Sequence, residues 1–139
     1  MSRIEIQVAG VLSSAALLDD AAPRTVNGLL ALLPIVDRTI PTQWSGRAWR
    51  TEHDHVVVPD GSEVENVADR LAAGDIIYYP RLHKIGVAYG DAKWLGPFML
   101  PREVSLIGRI DRNLDAFVEE CMRIVFEGPR TVRLARVTR

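Results

Sequence analysis

Several features that would indicate a specialised protein are scarce or absent in this sequence. Cys121 is the only cysteine among the 139 residues, so the chain cannot form an internal disulfide bond, which favours a reducing compartment. The 17 basic residues nearly balance the 18 acidic ones, and the net charge of -1 gives no overall attraction to nucleic acid or acidic membranes. No apolar stretch approaches the roughly 18 uncharged residues of a membrane span. Charged residues also interrupt the N-terminal segment too early for a signal peptide. We therefore expect a cytoplasmic protein without nucleic-acid or membrane partners.

Motifs that identify common enzyme classes are also missing. The sequence contains no Gly-x-Ser-x-Gly elbow, no Walker loop, no dinucleotide-binding glycine pattern and no paired-cysteine zinc motif. Cys121 lies within an apolar pattern and is predicted to be a core residue, not a nucleophile. The sequence therefore assigns no catalytic residue and does not decide whether the protein is an enzyme. We expect no cofactor.

What the sequence does contain is typical of one globular domain over residues 1–139, built mainly of strands. Hydrophobic residues make up 47% and charged residues 25% of the chain. Ile4, Ile6 and Val8 alternate with polar residues, which predicts a half-buried strand that forms a hairpin with residues 11–18. Further strands are predicted at residues 38–44, 47–51, 55–58, 76–79, 85–89 and 104–110. Because the strands do not alternate regularly with helices, we predict a closed or nearly closed antiparallel β-barrel over residues 1–110.

Two helices are predicted, one early and short, the other C-terminal. The first covers about residues 22–33, with Asp19 or Asp20 as the cap, Pro23 in its first turn and Pro34 after its end. The second covers residues 111–127, with Asp111 as a candidate cap, and Gly128 and Pro129 end it. Residues 128–139 carry four arginines and no acid, and they form either a short strand or an extended arm.

Five short segments carry a family resemblance. Residues 20–30 resemble the cyclophilin segment in which an acidic residue, a proline and a basic residue open the first helix. Four later segments, Trp44-Ser45-Gly46, Glu65-Asn66, residues 74–80 and Ala88-Tyr89-Gly90, resemble the bacterial cyclophilin-like family of small β-barrel proteins of unknown function. The resemblance covers about residues 3–110. It implies a cyclophilin-like barrel.

The same resemblance bears on function. Prolyl isomerases of this fold use a Phe-His-Arg stretch and a Gln-Gly-Gly-Asp loop, and neither occurs here. We therefore expect a protein that binds a small metabolite in the barrel mouth and does not isomerise prolyl bonds. The alternatives are a prolyl isomerase or peptide binder that uses the barrel groove beside Arg47, and a homodimeric interaction module. Residues 81–84, Arg-Leu-His-Lys, stand where the relatives have acidic and hydroxyl residues, which indicates a basic pocket edge.

The predicted ligand-binding residues combine aromatic, cationic and hydrogen-bonding side chains. An aromatic wall with one cation and one hydroxyl suits a carboxylate or amide ligand, and Trp44, Arg47 and Ser45 offer these groups. Two tyrosines add hydroxyl donors, and two further residues contact either the ligand or loop backbone groups. The full set is Trp44, Ser45, Arg47, Glu65, Asn66, Tyr79 and Tyr89.

The segment Glu52-His53-Asp54-His55 is the most chemically distinctive stretch. Two histidines two residues apart on a strand share one face, which is a common arrangement of metal ligands. A metal needs a third ligand, and His83 is the only other histidine. We therefore interpret the segment as a solvated turn and predict no bound metal.

The second predicted helix has a conspicuous apolar stripe, with Phe126 at its edge. The stripe consists of Leu114, Phe117, Val118, Cys121, Ile124 and Val125. Six exposed apolar side chains are untenable on a monomer, so the stripe must pack on the barrel or on a second chain. We predict that the protein is a homodimer to which the helix and the arginine tail contribute.

Overall fold

The computed structural model describes residues 2–59, 64–96, 100 and 102–137. Its strands, in chain order, are β1 (Arg3–Val8), β2 (Val11–Leu17), β3 (Ile35–Pro41), β4 (Gly46–Thr51), β5 (Val67–Ala68), β6 (Arg70–Leu71), β7 (Asp75–Tyr79), β8 (Lys84–Lys93), β9 (Val104–Arg112) and β10 (Thr131–Arg136). Its α-helices are α1 (Pro23–Leu32) and α2 (Leu114–Glu127), and a 3₁₀ turn spans Gln43–Ser45.

The described strands close into an eight-stranded antiparallel barrel. The order around the barrel is β2-β1-β10-β3-β4-β8-β7-β9, and β9 pairs back with β2. The two-residue strands β5 and β6 extend the sheet at β9 and β8. This confirms the predicted mainly β fold with one early and one C-terminal helix. It also shows that residues 131–136 of the arginine-rich tail form a strand, since β10 lies between β1 and β3 and belongs to the barrel.

The two helices cover opposite ends of the barrel. Helix α1 connects the end of β2 to the start of β3, whereas α2 connects the end of β9 to the start of β10. Because β2 and β9 are antiparallel neighbours, the chain leaves them at opposite ends. We call these the α1 end and the α2 end. Each helix buries its apolar face in the main core, α1 through Val26 and Leu29 and α2 through Phe117, Cys121 and Ile124.

Apolar side chains fill the space between the helices. Trp49 and Tyr78 are the largest of the fully buried residues, and both belong to this main core. At the α1 end the packing is so tight that a Cβ atom on Gly28 would stand 2.0 Å from the carbonyl oxygen of Val57. The barrel interior is therefore a packed core. A second, smaller core lies around Ile77, Tyr79 and Trp94.

Both predicted helix caps are wrong. Asp19 instead accepts hydrogen bonds from the backbone and hydroxyl of Ser2 at 2.9 and 2.6 Å, and α1 has no side-chain cap from its own N-terminus. Asp111 instead pairs with Arg3 at 2.6 Å, and the residue before α2 is Asn113 in the left-handed region. In both cases the carboxylate binds a residue of the N-terminal segment, Ser2 or Arg3, and not the first turn of the helix.

Several strand boundaries also differ from the prediction. Residues 55–58 do not form a strand; they run across the α1 end, where Val57 and Val58 join the core. Strand β8 does not stop at Tyr89 but continues through Gly90 to Lys93, because β4 and β6 pair with its second half. Trp44 lies in the 3₁₀ turn, after β3 has ended. The sequence also predicts a turn at Pro59-Asp60-Gly61 and a loop marked by Gly96, Pro97 and Pro101, and both fall partly outside the described residues.

Within the described part of the chain, no helix is both long enough and apolar enough to span a membrane.

Candidate functional site

The seven predicted ligand-binding residues do not form one cluster. Glu65 lies beneath α1, where its carboxylate accepts hydrogen bonds from the backbone N–H and hydroxyl of Thr25, both at 2.7 Å. Asn66 donates from its side-chain amide to the carbonyl of Leu106 at 2.9 Å and has a positive φ of 51°. These two residues thus fasten the segment before β5 to the helix and to the barrel, which is the backbone role that the sequence left open.

The two tyrosines lie in different cores. Tyr89 is buried in the main core, where burial raises the pKa of its hydroxyl above the ordinary value. Tyr79 belongs to the second core, with its ring 6.2 Å from that of Trp94. The hydroxyl of Tyr79 is buried and has no hydrogen-bond partner among the described residues. The two tyrosines thus belong to separate cores.

Trp44 and Ser45 are both tied to Leu95. The Ser45 hydroxyl accepts a hydrogen bond from the Leu95 N–H at 2.9 Å, and its distance to the Leu95 carbonyl is 3.5 Å. The Trp44 indole N–H donates to that carbonyl at 3.3 Å, and 47% of Trp44 stays exposed. The 3₁₀ turn is thereby held against the segment that follows β8, with the indole on the surface.

A shallow depression of about 200 Å³ lies beside this turn. Its lining residues are Ser45, Arg70, Asp91, Ala92 and Lys93, and we call it the rim depression. Arg47 is close by, because its side-chain stem lies over Gly90, where an added Cβ would stand 2.5 Å from Cδ of Arg47. Two exposed cations, Arg70 and Lys93, thus line the depression together with the exposed carboxylate of Asp91, and the exposed Arg47 lies next to the same strand. The ion pairs found in the described part of the chain involve none of these three cations.

A second polar site lies at the α1 end of the barrel. Asp37 of β3 points inward with a fully buried side chain, and two histidines converge on it. The distance from Nδ1 of His53 to Oδ1 of Asp37 is 3.0 Å, and that from Nε2 of His55 to Oδ2 is 2.7 Å. Glu52 lies 3.9 Å from Nδ1 of His53. We call Asp37, Glu52, His53 and His55 the histidine cluster.

Asp37 is held as an ionised carboxylate. Burial alone would raise its pKa, but hydrogen bonds from His55, from the backbone N–H of Arg38 and from His53 outweigh burial and lower the pKa to about 2. A carboxylate in this state can only accept hydrogen bonds, so both imidazole rings donate to it. The donating nitrogens are Nδ1 of His53 and Nε2 of His55.

Two further pairs surround the histidine cluster. The Tyr78 hydroxyl lies 2.6 Å from Nδ1 of His83, and the His83 carbonyl accepts a hydrogen bond from the backbone of His55. Lys84 binds Asp54 at 2.7 Å and also donates to the carbonyl of Glu52. All three histidines of the chain thus meet at the α1 end, although His83 is nearly 30 positions away from the other two in the sequence.

The sequence interpretation of this segment as a solvated turn was incomplete. His53 is largely exposed, but the His55 side chain is only 18% exposed and is fixed by Asp37. Asp37 was missed because it precedes the predicted start of its strand and lies 16 positions before His53. The only sequence signal was an acidic residue within an otherwise apolar start of β3, directly after Ile35 and Val36.

Several solved structures share this fold, among them the following two. The structure of McbB in complex with tryptophan superposes with a TM-score of 0.74 at 21% identity, over 98% of this chain and 46% of the McbB chain. This chain therefore spans about half the length of that protein. The solution structure of the hypothetical protein AF2241 from Archaeoglobus fulgidus superposes with a TM-score of 0.67 at 19% identity, over 98% of this chain and 95% of the other. At these identities the likeness shows the fold alone.

The sequence comparisons identify a family without a known activity. A comparison with curated proteins finds no match. The sequence pattern described as "Protein of unknown function (DUF3830)" matches residues 4–136, which is nearly the whole chain, and the chain therefore belongs to this family.

Proposed function

We propose that this protein binds a small carboxylate-bearing molecule in the rim depression, and that its barrel is of the cyclophilin type. The observation that carries the binding proposal is the pair of exposed cations, Arg70 and Lys93, which line a depression whose wall contains Ser45. A volume of about 200 Å³ accommodates a ligand smaller than a typical drug molecule. The ligand lies at the outer rim, because the barrel interior is packed with apolar side chains.

The charges around the depression favour an anion. Among the lining residues, Arg70 and Lys93 outnumber the one carboxylate, Asp91, and an arginine can bind a carboxylate through two parallel hydrogen bonds. The Ser45 hydroxyl donates to the Leu95 carbonyl only at 3.5 Å, and a ligand that accepts its proton would replace this long contact. Trp44 supplies an exposed aromatic surface on the same turn.

The test uses pairs of probes that differ only in the charged group. L-Tryptophan is one probe because the McbB structure contains that molecule, and tryptamine is its partner without the carboxylate. Benzoate and benzamide form the second pair. We expect calorimetry to detect binding of L-tryptophan, of benzoate or of both. We expect no binding of tryptamine or benzamide, which lack the carboxylate. A hydrogen bond to a charged group contributes about 1.5–3 kcal/mol, so Arg70→Gln should weaken binding about tenfold or more.

The matched control for this test is Arg81→Gln, which removes an exposed arginine elsewhere on the chain. It should leave the affinity unchanged. Equal binding of acid and amide, or full affinity in both Arg70→Gln and Lys93→Gln, would remove the support for an anion site. If neither carboxylate binds, the proposal is withdrawn.

We propose further that the protein does not isomerise prolyl bonds. Prolyl isomerisation has a barrier of about 20 kcal/mol, and its catalysis needs an arginine positioned against the prolyl amide. Arg47 lacks the Phe-His-Arg sequence setting in which the isomerases hold theirs. A proline-peptide assay should show no acceleration. Catalysis that disappears in Arg47→Ala would favour the isomerase alternative.

A further inference from the structure

We propose that the histidine cluster at the α1 end binds a divalent transition metal such as zinc, through Asp37, Glu52 and His53. This site is separate from the rim depression and does not depend on the proposed ligand. The three side chains offer two carboxylate oxygens and one imidazole nitrogen, all within 4.8 Å of one another. Imidazole and carboxylate are the ligands that zinc takes besides thiolate.

The spacing of the donor atoms suits a metal of this size. Zinc bonds of about 2.0–2.1 Å at a tetrahedral angle place neighbouring ligand atoms about 3.4 Å apart. The distance between Nδ1 of His53 and Oδ1 of Asp37 is 3.0 Å, and that between Nδ1 of His53 and Oε1 of Glu52 is 3.9 Å. These values lie on either side of the ideal one. Small side-chain movements suffice, and the metal takes the position of the proton that His53 now shares with Asp37.

The buried member of the site is already held in place. Asp37 receives backbone hydrogen bonds from Arg38 at 2.7 Å and from His53 at 3.1 Å. His55 holds its second oxygen at 2.7 Å. Such outer hydrogen bonds fix the orientation of a ligating carboxylate and raise metal affinity. His55 is therefore a positioning residue in this proposal, and Asp37 is the buried, hydrogen-bonded ligand beside the two more exposed ones, Glu52 and His53.

The local charge also favours a cation. Asp37 and Glu52 contribute two negative charges, and Arg38 opposes them only at the limit of an ion pair, 4.0 Å from Glu52. Lys84 is engaged with Asp54. The His53 side chain is 73% exposed, so solvent reaches this face of the site. Three protein ligands beside a solvent-accessible face are the arrangement of zinc sites that keep a position open for water or substrate.

This inference reverses the expectation from sequence. That expectation rested on the absence of a third ligand near the two histidines. The fold supplies two carboxylates instead of a third histidine, Glu52 from the adjacent position and Asp37 from the neighbouring strand.

The experiment is a calorimetric titration of the metal-free protein with Zn²⁺, together with the visible absorption spectrum of the Co²⁺-loaded protein. We expect one Zn²⁺ per chain and a Co²⁺ spectrum of low coordination number. His53→Ala removes a largely exposed side chain, so the variant should fold, and Zn²⁺ affinity should fall at least tenfold. Glu52→Gln should weaken binding as well. Glu103→Gln is the matched control, an exposed acid outside the histidine cluster that should leave the affinity unchanged.

Two results would overturn the site. One is the absence of Zn²⁺ binding to the wild-type chain. The other is binding that His53→Ala and Glu52→Gln leave intact, because the metal would then lie elsewhere. A circular dichroism spectrum of each variant checks that the fold is retained. Binding of the carboxylate probes at the rim depression is measured separately and is expected to be the same in His53→Ala as in the wild type.

Discussion

At the scale of single residues, burial determines the reactivity of the one cysteine, Cys121. Cys121 is fully buried in α2, and the indole N–H of Trp49 contacts its sulfur at 3.2 Å. Burial raises the pKa of the Cys121 thiol to about 12, and the contact with Trp49 offsets only part of that rise. The sequence interpretation of Cys121 as a core residue is thereby confirmed.

We predict that Cys121 does not react with thiol reagents in the folded protein. At pH 8 a thiol with a pKa of about 12 is ionised in only about one molecule in ten thousand, and the thiolate is the reactive form. Labelling with a disulfide reagent at pH 8 should be negligible under native conditions and complete in urea. Rapid labelling without denaturant would show that the thiol is accessible and ionised.

At the scale of elements, the start of α1 depends on a residue far away in the sequence. The carboxylate of Glu65 accepts hydrogen bonds from the backbone N–H groups of Arg24 at 3.3 Å and Thr25 at 2.7 Å. These belong to the first turn, whose amide groups lack partners within the helix. Burial opposes the charge, but the bonds from Thr25 and Arg24 outweigh it and lower the pKa of Glu65. Helix α1 is thus capped by the loop before β5.

We predict that Glu65→Ala lowers the free energy of unfolding by about 1 kcal/mol, the usual effect of losing a cap. Because the folded pKa of Glu65 is lowered, its contribution is present above the ordinary glutamate pKa of about 4.3 and is lost as the pH falls through the folded value. Urea unfolding at pH 7 and below pH 4 measures both effects. The difference between wild type and Glu65→Ala should shrink at the lower pH.

The control for this prediction is Glu103→Ala, which removes an exposed carboxylate outside any helix. It should change the stability little at either pH. An equal loss in both variants would mean that general charge, and not the cap, accounts for the effect of Glu65.

At the scale of the whole molecule, most of the apolar stripe of α2 packs against the barrel of its own chain. Phe117, Cys121 and Ile124 are buried against the barrel, and Leu114 and Val118 are partly buried there. One edge of the helix stays uncovered, with Met122 and Val125 exposed and Phe126 89% exposed. This edge, not the whole stripe, is the surface available to a second chain.

We predict a homodimer to which this edge and the arginine-rich β10 contribute. Burying a phenylalanine side chain stabilises an interface by about 1.5–3 kcal/mol, so Phe126→Glu should shift the equilibrium to monomer. Sedimentation of the intact chain and of Phe126→Glu measures the change. Val67→Glu, which places the same charge at another exposed apolar position, is the control and should stay dimeric. A monomeric wild-type chain at all concentrations would rule the dimer out.

Local patterns in the sequence determined the class of the fold. Alternation at Ile4, Ile6 and Val8 predicted β1, and the spacing of Phe117, Cys121 and Ile124 predicted the buried face of α2. These signals are strong because burial acts on neighbouring positions of one element with a fixed period. The two helices and the predominance of antiparallel strands followed from such patterns.

Only the tertiary structure decided which distant residues meet. The cap of α1 comes from Glu65, the tail strand β10 enters between β1 and β3, and Asp37 meets His53 and His55 across the α1 end. None of these contacts has a sequence period, because each joins elements whose separation along the chain is unrelated to their separation in space. Barrel closure brings them together. For that reason the sequence pointed to the two histidines, whereas the carboxylate that orients them appeared only in the folded chain.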